Sequence, residues 1–258
     1  MIQKHIEQYI KNKARDTFPR SLIILGEKGC GKAEAIDMTC NQLHLNKVDI
    51  TEQISLDFIM SMYEKPEPYL YIIDGTKITI KEQNMLLKFI EEPLKNAFII
   101  IKAEASNQLL QTVYNRCQKL IFNPFSKEEL LQYSNDPFIL EVAKTPGQIE
   151  DFKNSPITDI KELCEKIITK IGSANISNVM TISDKLAFKQ EKDKFDLDIF
   201  ASILVYSIRQ VIKQNNDIKY IELYNLVRQW DIDRKAPTVV QQFLFERYLV
   251  KMYQLMRG

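Results

Sequence analysis

Between the apolar run Ser21-Leu-Ile-Ile-Leu25 and the helix-compatible stretch from Lys32 to Leu43 lies a glycine turn, Gly26-Glu-Lys-Gly-Cys-Gly-Lys-Ala33. It fits the pattern G-x-x-x-x-G-K, and a strand before it with a helix after it is the context a phosphate-binding loop requires. Gly26, Gly29 and Gly31 allow the backbone to curl so that successive N–H groups converge on phosphate oxygens, assisted by the helix N-terminus. Lys32 supplies the charge for the β- and γ-phosphates of a bound nucleotide. Average usage of about 7% would place roughly 18 glycines in a chain of this length. There are 7, and three of them sit in this one turn.

Two groups that nucleotide hydrolysis needs are missing. The Ser or Thr hydroxyl that ligates magnesium at the end of such a loop is Ala33 here, which offers no oxygen. The apolar strand Tyr69-Leu-Tyr-Ile-Ile-Asp74 carries the expected acidic residue, Asp74. The general base that should follow it is Gly75. Both losses fall on the same reaction, so the residues predict a loop that keeps its shape without turnover. ATP or ADP held without hydrolysis and an empty loop both remain open, and no metal site is expected. The plainer alternatives are a solvated lysine at a helix start for Lys32 and a strand-end cap for Asp74.

The elements that would position these residues alternate. Strands are expected at Ser21–Leu25, Lys47–Ile50, Tyr69–Asp74, Ala97–Lys102 and Gln118–Phe122. Helices are expected at Ile2–Lys13, Lys32–Leu43, Leu56–Tyr63, Lys81–Glu91 and Asn107–Asn115. Near-continuous apolar strands between helices predict a parallel sheet of five strands covered on both faces. After Phe122 no convincing strand appears. Helices are expected at Lys127–Ser134, Pro137–Lys144, Gly147–Asn154, Thr158–Ile171, Ile176–Phe188, Leu197–Gln214, Ile218–Trp230 and Thr238–Met256, with Ser126 and Glu129 forming a capping box.

Composition mostly excludes. Thirty-five basic and 34 acidic side chains leave a net charge of +1, which argues against an independent, strongly basic nucleic-acid binder. No apolar run is long enough for a membrane span. The N-terminal stretch is amphipathic and charged rather than signal-like. Cys30, Cys40, Cys117 and Cys164 are widely spaced, so neither a disulfide framework nor a zinc site is expected. A cytoplasmic protein with reduced thiols is the expectation.

Three further stretches carry a family resemblance. Gln83-Asn-Met-Leu-Leu-Lys-Phe-Ile-Glu-Glu-Pro93 resembles the helix after the second nucleotide motif of bacterial clamp-loader ATPases. Asn107-Gln-Leu-Leu-Gln-Thr-Val-Tyr-Asn-Arg-Cys-Gln118 resembles their segment ending in Ser-Arg-Cys, with Asn115 in place of the serine. Lys119–Phe122 followed by Asn-Pro-Phe is similar to the exit into their lid. Residues 20 to 126 are thus similar to an AAA+ module of the DNA polymerase III clamp loader, and the disabled nucleotide motifs resemble its delta-prime branch rather than the hydrolysing tau/gamma branch.

The resemblance implies a division into a nucleotide-binding-type core at 1–125, a helical lid at 126–155 and a helical collar at 156–258. It implies a non-hydrolysing subunit that completes the site of a neighbouring ATPase with an arginine finger, which falls on Arg116. The alternative for Arg116 is an ordinary surface salt bridge. Glu91 and Glu92 close their helix against its dipole, so a cationic partner is expected beside them, or simple solvation. The lid position where hydrolysing relatives carry an arginine sensor holds Glu150, and the zinc cysteines of many relatives are absent. Implied partners are tau/gamma-type ATPases and delta, with the sliding clamp and primed DNA reached through the complex. The competing readings are an active tau/gamma-like ATPase and an unrelated P-loop nucleotide switch.

Overall fold

The computed structural model describes residues 2–62, 68–92, 97–171, 175, 196–215, 217–236 and 239–257. They group into two compact units, one reaching to Phe125 and one beginning at Ser126, with a short piece at Ala236 assigned to the first.

The first unit is an α/β layer structure. Its strands are β1 (Ser21–Leu25), β2 (Asn46–Asp49), β3 (Tyr69–Asp74), β4 (Ala97–Ala103) and β5 (Gln118–Ile121). They form one sheet in the order β2-β3-β4-β1-β5, with every pairing parallel. Side chains of a strand alternate between faces, and here each face is buried. Leu22, Ile24, Leu70, Ile72, Phe98 and Ile100 pack on one side with α1 (Lys4–Lys11) and α2 (Lys32–Leu43). Ile23, Leu25, Tyr71, Ile73, Ile99 and Ile101 pack on the other with α3 (Leu56–Met62), α4 (Ile80–Glu91) and α5 (Gln111–Arg116). Burial on both faces is why the strands read as unbroken apolar runs rather than alternating ones. The expected five-stranded parallel sheet is therefore present.

Two helix boundaries differ from the expectation in informative ways. α4 begins at Ile80 and is capped by Thr79, which forms a reciprocal capping box with Glu82: Glu82 N donates to Thr79 Oγ1 at 3.3 Å and Thr79 N donates to Glu82 Oε2 at 2.6 Å. The single helix expected over Asn107–Asn115 is broken instead. A 3₁₀ turn covers Ser106–Gln108, Leu109 and Leu110 are extended, and α5 starts only at Gln111. Leu109 and Gln108 are buried, and burying them takes the backbone out of the helical path.

Among the described residues of the second unit every regular element is helical: α6 (Lys127–Leu130), α7 (Pro137–Val142), α8 (Pro146–Lys153), α9 (Ile157–Lys170), α10 (Leu197–Asn215), α11 (Ile218–Asp233) and α12 (Gln241–Arg257). The capping box of Ser126 and Glu129 is formed, but α6 ends at Leu130, shorter than expected. Asp136 and Thr145 cap α7 and α8, each of which opens on a proline whose missing N–H costs nothing there. The helix expected over Ile176–Phe188 lies outside the described residues.

The heart of this unit is aromatic. Trp230 of α11 sits 5.1 Å from Phe245 of α12 and 6.1 Å from Phe200 of α10, ring centre to ring centre. Beside it the buried Arg234 is paired with Asp198 and Asp231, an ion triad that ties the end of α11 to the start of α10.

Candidate functional site

The glycine turn leaves β1 and ends at α2, and two of its residues demand glycine. Gly29 has φ 78° and Gly31, which caps α2, has φ 105°, values that a side chain disfavours. Gly26 is needed for a different reason. A Cβ there would come within 2.5 Å of Cys30 Sγ and 2.8 Å of Phe122 Cβ, so the turn is folded tightly onto the exit of β5. Lys32 bends back over the loop, its ammonium donating to Gly26 O at 2.5 Å and Glu27 O at 3.1 Å. Burial pushes its pKa down, while the charges of Cys30, Glu104 and Asp74 push it back up. Burial is the larger effect, and the pKa of the ammonium stays below its ordinary value.

Asp74 ends β3, and each of its carboxylate oxygens has a partner within the chain. Oδ1 accepts from Thr76 N at 3.1 Å and Thr76 Oγ1 at 2.6 Å, and Oδ2 pairs with Lys102 Nζ at 3.2 Å. Burial raises its pKa, but the Thr76 hydrogen bonds and the Lys102 charge outweigh this and hold the carboxyl below its ordinary value. On the far side of β3, Asp74 N donates to Thr51 Oγ1 at 2.9 Å, and Thr51 Oγ1 donates to Asp49 Oδ1 at 2.6 Å. Asp49, Thr51, Asp74, Lys77 and Lys102 line a polar pocket of about 210 Å³ at the C-terminal ends of β2, β3 and β4, the edge where open α/β sheets bind ligands.

Gly75 is more than a missing side chain. It is buried, its N–H donates to Lys102 O at 2.8 Å, and an added Cβ would meet Leu109 Cδ2 at 2.8 Å and Lys102 O at 3.2 Å. A side chain starting here needs Leu109 to move aside and the Lys102 carbonyl to give by a few tenths of an ångström. The loop's curl and its lysine fit a phosphate group, but the partners of a magnesium-bound triphosphate do not fit: Ala33 ends in a methyl, and both oxygens of Asp74 are committed within the chain.

Arg116 is the last residue of α5 and half-exposed, and its ion pair and hydrogen bond are made to residues other than these. Its Nε forms an ion pair with Glu91 Oε1 at the end of α4, and Nη1 donates to Thr112 O at 3.0 Å. The cationic partner expected for Glu91 is thus Arg116 itself, and the salt bridge set against the finger as its alternative is present. Cys117, next in the chain, is buried, which pushes its thiol up to about 11. Glu150 lies in the second unit on α8, paired with Lys153 at 2.8 Å.

Sequence reasoning missed the residue that sets α5 against α4. Gln83 is 1% exposed, and its amide spans the chain just before α5: Nε2 donates to Gln108 O at 3.0 Å, and Leu110 N donates to Oε1 at 2.6 Å. The signal was a polar residue on the apolar face of a helix, in register with Leu86 and Ile90. Lys102 was missed too, though a lysine after five apolar residues in a central strand was visible.

Fold and loop together define a P-loop α/β module of the AAA+ type followed by a helical region. A RuvB point variant from Thermotoga maritima shares this fold, with 11% identity and a TM-score of 0.51 over 79% of this chain and 84% of that one. A family model described as "DNA polymerase III, delta subunit" matches residues 35–126, from within α2 to the end of β5 and just past it. The DNA polymerase III subunit delta' of Bacillus subtilis is 24% identical over 188 residues, 68% of this chain and 57% of that protein. The Haemophilus influenzae subunit delta' is 24% identical over 138 residues, 49% of this chain and 39% of that protein. The chain is similar to these delta-prime subunits, and it covers less than two thirds of the length of either. No described helix is long and apolar enough to cross a membrane.

Proposed function

We propose that this chain is a non-hydrolysing subunit of a DNA polymerase III sliding-clamp loader. It acts as a scaffold within an AAA+ ring and offers Arg116 to the nucleotide of a neighbouring tau/gamma-type ATPase. Residues 1–125 serve as the core, 126–155 as the lid and 156–258 as the collar that joins the ring. Delta, the sliding clamp and primed DNA are met through the assembled complex. Any ATP or ADP in the loop is held without turnover.

The observation that carries this reading is Gly75. The position of the general base carries no side chain and is closely packed, with the end of Leu109 and the Lys102 carbonyl within reach of an added Cβ. Ala33 and the internally committed Asp74 point the same way. The kinship with delta-prime subunits supplies the ring, and the exposed end of α5 supplies a guanidinium that a neighbour could reach.

The test is steady-state ATP hydrolysis by the purified chain, alone and with tau/gamma-type subunits. Background turnover alone together with stable co-elution supports the proposal. Turnover by the isolated chain would favour an active ATPase, and failure to associate would favour an unrelated P-loop switch.

A further inference from the structure

The guanidinium of Arg116 is held at two of its three nitrogens. Nε is paired with Glu91, the last residue of α4, and Nη1 donates to the carbonyl of Thr112 one turn back on α5. Among the described residues Nη2 has no partner. A guanidinium is planar with its five N–H donors in a fixed fork, so holding Nε and Nη1 also fixes where Nη2 lies. The groups doing the fixing are themselves anchored. The Gln83 amide ties α4 to the segment that leads into α5, and Val113 of α5 is buried with Leu86, Phe89 and Ile90 of α4 in one cluster. The backbones of Glu91 and Arg116 therefore belong to one packed pair of helices, and Nη2 is the guanidinium nitrogen left without a partner among the described residues.

We propose that Glu91 is a positioning residue for Arg116: it orients the guanidinium so that its Nη2 edge is presented outward to an anionic group, the phosphate chain of a nucleotide on the neighbouring subunit. This rests on the proposed trans role of Arg116. Both side chains are nearly half-exposed, 42% for Arg116 and 45% for Glu91, so the pair contributes little to stability. Its consequence is geometric: without the carboxylate, the guanidinium samples other rotamers, and the productive one is populated less often.

The experiment uses the complex of this chain with tau/gamma-type ATPase subunits, sliding clamp and primed DNA. ATP turnover is measured for wild type, Glu91→Gln, Arg116→Ala and the double variant, with thermal unfolding of each purified chain as a control. Glu91→Gln is expected to lower kcat about three- to fivefold with KM for ATP unchanged and thermal midpoint unmoved. The same substitution is expected to have no further effect in the Arg116→Ala background. An unchanged or increased kcat for Glu91→Gln, while Arg116→Ala is impaired, overturns the positioning role and leaves the finger standing. A loss that persists in the Arg116→Ala background also overturns it, since Glu91 would then act by another route. No effect of Arg116→Ala removes the finger, and the positioning role falls with it.

Discussion

Lys102 of β4 lies 3.2 Å from Oδ2 of Asp74 on the neighbouring strand β3, with both side chains largely buried. In a hydrolysing relative of this fold the acidic residue at the end of β3 is the metal's. Here Lys102 pairs with one oxygen of that carboxylate, and Thr76 hydrogen-bonds to the other.

The first prediction concerns pH. The folded pKa of Asp74 lies below its ordinary value of 3.8. Its contribution to stability is therefore fully present above about pH 4 and is lost as pH falls through the folded value. Asp74→Asn is expected to cost about 1–2 kcal/mol at pH 7. In urea unfolding between pH 3 and 7, the wild-type and variant curves should approach each other only below about pH 4. A constant gap down to pH 3 would show that the carboxylate's charge is not what stabilises.

A second prediction follows from the packing at Gly75. Restoring the two missing groups with Ala33→Ser and Gly75→Glu should not restore hydrolysis. The glutamate must displace Leu109 and press on the Lys102 carbonyl, an overpacking cost of about 1–3 kcal/mol. The double variant is expected to unfold at lower temperature and to keep background ATPase when assayed alone. Turnover clearly above background would mean that the site yields more easily than its contacts imply.

Much of this was legible before the structure. The glycine turn is readable because two of its positions need positive φ and a third has no room for a side chain, so composition betrays geometry. The sheet is readable because burial on both faces leaves unbroken runs such as Phe98-Ile-Ile-Ile101. What escaped depends on contacts distant in sequence. Nothing local says that Gln83 must reach Gln108 and Leu110, or that the segment before Gln111 must leave the helical path to bury Leu109. The pairing of Glu91 with Arg116 was half legible: the helix dipole asked for a cation beside Glu91, but only the fold says which one.

The third prediction tests the Gln83 clamp. Gln83→Leu keeps the volume roughly constant and leaves Gln108 O and Leu110 N without their partner in a buried setting. At about 1–3 kcal/mol per orphaned group, partly relieved by relaxation, a loss near 2–4 kcal/mol is expected. Amide hydrogen exchange at Leu110 should accelerate, and α5 should lose protection more than the strands do. Uniform loss across the sheet would indicate a general core defect instead of a local release of α5.

The central claim is that this chain does its chemistry in another subunit's site. Its most direct test is the DNA-stimulated ATPase of the reconstituted complex with wild-type chain or with Arg116→Ala, each chain also assayed alone. The isolated chains should both stay at background. In the complex the substitution should remove the turnover contributed by the neighbouring site, since a finger of this kind is worth about 10³-fold or more, while assembly is unchanged. Equal turnover with Arg116 and with alanine, or hydrolysis by the isolated wild-type chain, would contradict the claim.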